Sequence, residues 1–124
     1  MEQKELWKQI EGHPKYWISS EGRAWSEKTN RFLTPSQVSE KDKHQKYSIT
    51  ENNVKKRYFI HRLVMMTFCP INNPENYQVN HIDGDPTNNR LENLEWTTEK
   101  ENKKHYKEVV IPNRRKSGNF NLGA

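Results

Sequence analysis

Residues 83–89, Asp-Gly-Asp-Pro-Thr-Asn-Asn, are so dense in turn formers that neither a helix nor a strand can run through them. The chain must therefore reverse here. Before the turn, residues 77–82 (YQVNHI) alternate in the manner of a strand, and after it Leu91, Leu94 and Trp96 anchor a second strand over residues 91–96. Thr98 with Glu101 three places on is a capping-box signature, and Glu99 and Glu101 suit the positive end of a helix. Lys103, Lys104 and Lys107 follow along that helix until Pro112 ends it. Strand, polar loop, strand and capped helix together make a ββα unit.

The rest of the chain must fold around that unit with little apolar material. Of 124 residues, 31% are hydrophobic and 30% charged, so a large enclosed cofactor pocket is excluded and a few surface side chains must carry the function. Four Trp, five Tyr and four Phe still supply a modest core. Cys69 is the only cysteine, which rules out an internal disulfide and any structural zinc site needing two thiolates. Any metal is held by N and O ligands. No apolar run reaches the roughly 18 residues that span a bilayer, and residues 1–12 carry no signal-type apolar block. The expectation is an intracellular protein with no membrane partner.

Net charge is +5, and its distribution is uneven. Residues 1–74 carry 13 basic and 8 acidic side chains, residues 75–99 only Arg90 against six acids, and residues 100–124 carry 7 basic and 2 acidic. An acidic island thus lies between two basic arms. Such an arrangement suits a polyanion gripped on both sides of a cation-attracting stretch.

Upstream, Leu6, Trp7 and Ile10 fall on one face of a short helical or irregular lead. Residues 16–18 read as a strand, Ser20, Glu21 and Gly22 as a turn, residues 23–26 as the returning strand, and residues 31–33 as a third. A polar loop covers residues 35–45. Residues 46–50 and 56–60 flank Glu51, Asn52 and Asn53 as a hairpin. HRLVMMTFC, residues 61–69, is a short core helix stopped by Pro70. The expected fold class is α+β, with a small N-terminal antiparallel β unit and a short helix before the ββα unit. The expected divisions are residues 1–60, residues 61–111 and a basic tail over 112–124.

The stretch NHIDGDPTNNRLENLEWTTEKEN closely resembles the HNH endonucleases, the ββα-metal nucleases. His81 stands at the family's first H, Asn93 at its N, and Asn102 at its final H, where phage and intron-encoded members often carry Asn. ELWKQIEGHPKYWISSEGRAWS resembles the N-terminal module of the homing type, and RYFIHRLVMMTFCP the segment before its nuclease motif. The resemblance covers roughly residues 5–104.

It implies a nuclease that hydrolyses phosphodiesters in double-stranded DNA, nicking one strand as a monomer or weak dimer. His81 is implied as general base, Asn93 as the residue that orients ring or loop, and Asn80 and Asn102 as ligands of Mg²⁺ or Mn²⁺. Many members carry Asp where Asn80 stands. That departure motivates an alternative, a DNA-binding scaffold that has lost turnover. Arg23, Lys28, Arg31, Lys55, Lys56, Arg57, Lys103, Lys104 and Lys107 are the candidate phosphate contacts. Asn88 and Asn89 read as plain turn residues, and Asp83 and Asp85 as loop closers. Cys69 reads as buried packing, His61 as a cap or packing residue, and His13, His44 and His105 as surface.

Overall fold

The computed structural model describes residues 4–105. Its first sheet is antiparallel, with β1 (Trp7–Ile10), β2 (His13–Ser19), β3 (Ala24–Ser26) and β4 (Arg31–Phe32) in sequence order. Gly12 at φ 81° and Gly22 at φ 84° occupy its first two reversals, in the left-handed region that side chains with a Cβ avoid. The second sheet joins β5 (Ser36–Gln37), β6 (Gln45–Glu51) and β7 (Val54–Phe59). Asn52 and Asn53 both have positive φ between β6 and β7, the pairing that lets a two-residue turn follow the right-handed strand twist.

β7 runs directly into α1 (Ile60–Phe68), which buries Ile60, Leu63, Val64 and Met65. α1 packs against β1, β2, β6 and β7 on one side and against β8 (Gln78–His81) and β9 (Leu94–Thr97) on the other. One apolar cluster therefore runs from Ile10 to Leu94, with Ile18, Ile49, Ile60 and Val64 its most enclosed members. Each such side chain is worth about 1.5–3 kcal/mol relative to exposure. α2 (Glu99–His105) closes the described chain, and its capping box forms: the Thr98 N–H donates to Glu101 Oε1 at 2.8 Å and the Glu101 N–H to Thr98 Oγ1 at 3.2 Å. The observed class is α+β, two antiparallel sheets followed by a hairpin and helix.

Four sequence readings need correction. The N-terminal lead is a strand, because the backbone of residues 7–10 pairs with β2 and the helix-like spacing of Leu6, Trp7 and Ile10 has no competing partner. The polar loop of residues 35–45 contains β5, paired to β6 by Ser36 and Gln37. Asn93 lies in a 3₁₀ turn, Leu91–Asn93, ahead of β9 rather than in the strand. Cys69 is exposed, since it caps α1 through its backbone while its carbonyl accepts Trp96 Nε1–H at 2.7 Å. The later part of the expected last helix, Lys107 included, and the tail over 112–124 lie outside the described residues.

Candidate active site

β8 and β9 pair with His81 opposite Leu94 and Asn80 opposite Glu95. Alternation puts Gln78 and Asn80 on one face of β8, and Val79 and His81 on the other. α2 packs on the first face, where Asn102 Nδ2–H donates to Gln78 Oε1 at 2.7 Å, and the Asn102 amide oxygen has no partner among the described residues. Asn80 is buried, and its amide has no hydrogen-bond partner among the described residues. Asn80 and Asn102 thus share a face. His81, the last residue of β8, is reached around the same strand end.

Two different asparagines hold the loop and the ring. Asn93 binds the loop: its Oδ1 accepts the Asp83 N–H at 3.1 Å, and its Nδ2–H donates to Asp83 Oδ1 and to the Asn88 carbonyl, each at 2.9 Å. The His81 ring is met instead by Asn89, with 2.8 Å between His81 Nε2 and Asn89 Oδ1. Both of those residues are buried. Asn89 is therefore more than the turn residue its sequence context suggests. Burial pushes the Asp83 carboxyl up, but hydrogen bonds from Asn88, the Asp85 backbone and Asn93 outweigh it, so the group sits below its ordinary value and is ionised.

His81 is not alone. His61 of α1 lies 5.1 Å from it between ring centroids, and His44 lies 5.5 Å from His81 and 5.4 Å from His61. His44 is half-exposed, in keeping with its surface reading, and His61 is buried packing rather than a cap; what the sequence did not reveal is that both lie beside His81. His44 Nδ1 bonds Asp42 Oδ1 at 2.6 Å, and His61 Nδ1 is buried without a hydrogen-bond partner. His13 leaves the surface class, bonded to Glu51 and to Tyr58 Oη.

Burial, reinforced by the neighbouring His81, His44 and Arg62 and only partly opposed by Asp42, lowers the His61 pKa to about 3. Burial also lowers that of His81, against the opposing Asn89 hydrogen bond. Both rings are neutral near pH 7. An unfolded chain takes up a proton on His61 below about 6.5 while the folded chain refuses it until about pH 3, so stability falls as pH drops through that window. The melting temperature by circular dichroism is expected to decline from pH 7 to pH 5, and His61→Leu to flatten the decline. An equal slope in both proteins would remove His61 as its source.

The basic candidates separate into engaged and outward-facing groups. Arg23 is already committed: it pairs with Glu5 and lies over the rings of Trp7 and Phe32. Lys28 Nζ donates to the Thr50 carbonyl and ties the two sheets together. Lys103 pairs with Glu99 at 3.2 Å, while Lys104 and Arg31 are exposed. The register of β6 and β7 puts Lys55, Arg57 and Phe59 on one face with Lys46, Ser48 and Thr50, while Lys56 shares the opposite face with Ile49. Lys46 sits over Phe59, whose ring lies 6.2 Å from His44 and 5.1 Å from His61. A basic hairpin face thus leads from Lys55 and Arg57 to the histidines. Lys46 was missed in sequence because only strand register reveals its side.

A sequence model described as HNH endonuclease matches residues 58–104. An uncharacterized HNH endonuclease of Acanthamoeba polyphaga mimivirus is 44% identical over 98 residues, covering 78% of this chain and 28% of that protein. DNA endonuclease I-HmuI of Bacillus phage SP01 is 34% identical over 97 residues, 77% of this chain and 54% of that protein. A solved structure reporting DNA binding and cleavage by the HNH homing endonuclease I-HmuI superposes with a TM-score of 0.70 at 29% identity, over 94% of this chain and 62% of that one. The chain spans between about a quarter and three-fifths of the lengths of these relatives. With the hairpin, loop and helix in the family's order, the chain belongs to the HNH endonuclease family, whose nucleases use a divalent metal, and through both N-terminal sheets it is similar to the homing endonuclease I-HmuI.

Proposed function

We propose that this protein is a metal-dependent DNA endonuclease that nicks one strand of double-stranded DNA as a monomer, with His81 as general base. The observation that carries the reading is the His81 imidazole, buried at the end of β8 where burial lowers its pKa, next to Asn80, whose strand face also carries Gln78, the hydrogen-bond partner of Asn102. A neutral histidine can take a proton from water at physiological pH, which a protonated one cannot. The water attacks in line with the bond to the leaving oxygen.

Asn80 and Asn102 fit Mg²⁺ or Mn²⁺: both are hard oxygen donors, one without a side-chain hydrogen bond among the described residues and one with its nitrogen already occupied. A bound cation supplies neutralisation of charge on the phosphoryl and leaving oxygens. Among the described residues no three His, Cys, Asp or Glu side chains are placed to hold a metal ion, so two neutral amides alone grip the ion weakly and waters and phosphate must fill its shell. The metal requirement then lies in the millimolar range. Lys46, Lys55 and Arg57 line the hairpin face that carries the DNA backbone toward His81, with Lys56, Arg31, Lys103 and Lys104 as outlying phosphate contacts and Arg23 and Lys28 holding the fold.

The test is relaxation of supercoiled plasmid by the purified chain with Mg²⁺ or Mn²⁺, with EDTA as control. Nicked circles that require metal, without linear product, are expected. Asn80→Asp adds a charged ligand and is expected to lower the metal concentration for half-maximal nicking about tenfold or more. An unchanged metal dependence in that variant argues against Asn80 as a ligand. The absence of a carboxylate beside His81 on β8 also favours a second reading, a DNA-binding scaffold without turnover. Salt-dependent DNA binding with no metal-dependent product would select it.

A further inference from the structure

We propose that Asn89 is a positioning residue that fixes the tautomer of His81, keeping the ring proton on Nε2 and the lone pair on Nδ1, and that the N-terminal sheet enforces this through Gly22. The proposal rests on His81 acting as the base. An amide oxygen only accepts hydrogen bonds, so Asn89 Oδ1 at 2.8 Å requires a hydrogen on His81 Nε2. A neutral imidazole has one such hydrogen, and Nδ1 is therefore the nitrogen left to take a proton from water.

Asn89 is held from outside the nuclease hairpin. A Cβ placed on Gly22 would lie 2.9 Å from the Asn89 carbonyl oxygen and 3.0 Å from its Cβ, so the backbone of the β2–β3 turn is pressed directly against the residue that meets the ring. The Leu91 N–H donates to the Ser20 carbonyl at 2.8 Å, fastening the same turn two residues further on. Gly22 is itself anchored, because the buried Tyr47 hydroxyl donates to its carbonyl at 2.7 Å. Tyr47 of the second sheet, Gly22 of the first, Asn89 of the loop and His81 of the hairpin form one contiguous chain of contacts. The N-terminal sheets accordingly do more than grip DNA: they set which nitrogen of the base is free.

Long-range proton–nitrogen correlation spectra of the intact 124-residue chain, at a pH where the ring is neutral, report the tautomer directly. Wild type is expected to show a protonated Nε2 and an unprotonated Nδ1. Asn89→Leu keeps the bulk but loses the acceptor, and its His81 signals are expected to move to a mixed tautomer with kcat for plasmid nicking down about 10–100-fold at unchanged KM. Asn89→Asp retains an acceptor and is expected to restore the Nε2–H form. Gly22→Ala, which displaces the Asn89 backbone, is expected to disturb the same signals.

A wild-type ring protonated on Nδ1, or an Asn89→Leu spectrum identical to wild type, overturns the inference and leaves the base role of His81 standing. A shifted tautomer with undiminished nicking removes His81 as the base, and the inference falls with it. The wild-type spectrum alone decides the first point even if a variant does not fold.

Discussion

His81→Ala is expected to reduce metal-dependent nicking by about 10²–10⁴-fold, the range that a positioned general base contributes, while DNA affinity stays within about twofold. The separation between the two effects is what gives the result its meaning. His81 is buried at the end of β8, and the outward basic face proposed to meet phosphate is built from other residues, Lys46, Lys55 and Arg57. Truncating the ring removes the proposed proton acceptor and an aromatic contact to His61 and His44, but no cation from that face. Electrophoretic mobility shift at fixed salt gives the affinity, and initial rates on supercoiled plasmid give the cleavage. Parallel loss of both would mean that the imidazole holds the fold rather than the reaction. Preserved cleavage would place the base elsewhere, with the neighbouring His44 and its Asp42 partner the next group to examine.

The second large effect concerns the loop. Asn93→Ala removes three hydrogen bonds at a site that is 8% exposed, those to the Asp83 N–H, the Asp83 carboxylate and the Asn88 carbonyl. With each of the three bonds worth about 0.5–1.5 kcal/mol net, and the one to the Asp83 carboxylate at the upper end, a loss of about 2–4 kcal/mol is expected. The midpoint of urea unfolding measures it. Asn93→Asp should do no better, since a carboxylate cannot donate to Asp83 Oδ1 or Asn88 and adds repulsion against an ionised Asp83. Cleavage should fall with the loop in both variants, because the same segment carries Asn89. A midpoint unchanged in Asn93→Ala would show that the loop is held by its backbone alone.

Features governed by neighbours a few residues apart were legible in the sequence. The Asn52–Asn53 turn, the reversal at Gly22, the capping box of Thr98 and Glu101, and the apolar face of α1 all follow from local dihedral or hydrogen-bonding preferences, and the hairpin and helix that carry His81, Asn80 and Asn102 follow from them. What depended on tertiary placement was not. The lead at residues 7–10 takes its state from β2, Arg23 is neutralised by Glu5 eighteen positions away, and His44 reaches His81 across thirty-seven positions. The assignment of ring and loop to different asparagines had a subtler cause. Asn88, Asn89 and Asn93 offer the same amide within one short segment, and only the path of the loop decides which meets the imidazole.

The placement of α1 has a thermodynamic consequence. Among the described residues, the hairpin and α2 contribute only Val79 and Leu94 to the fully buried apolar cluster, so this end draws its interior from the elements that precede it. Its stability is borrowed through α1 from the two N-terminal sheets. Unfolding should accordingly be a single cooperative transition, in which tryptophan fluorescence from Trp17 and Trp25 and the capacity to cut are lost at one and the same denaturant concentration.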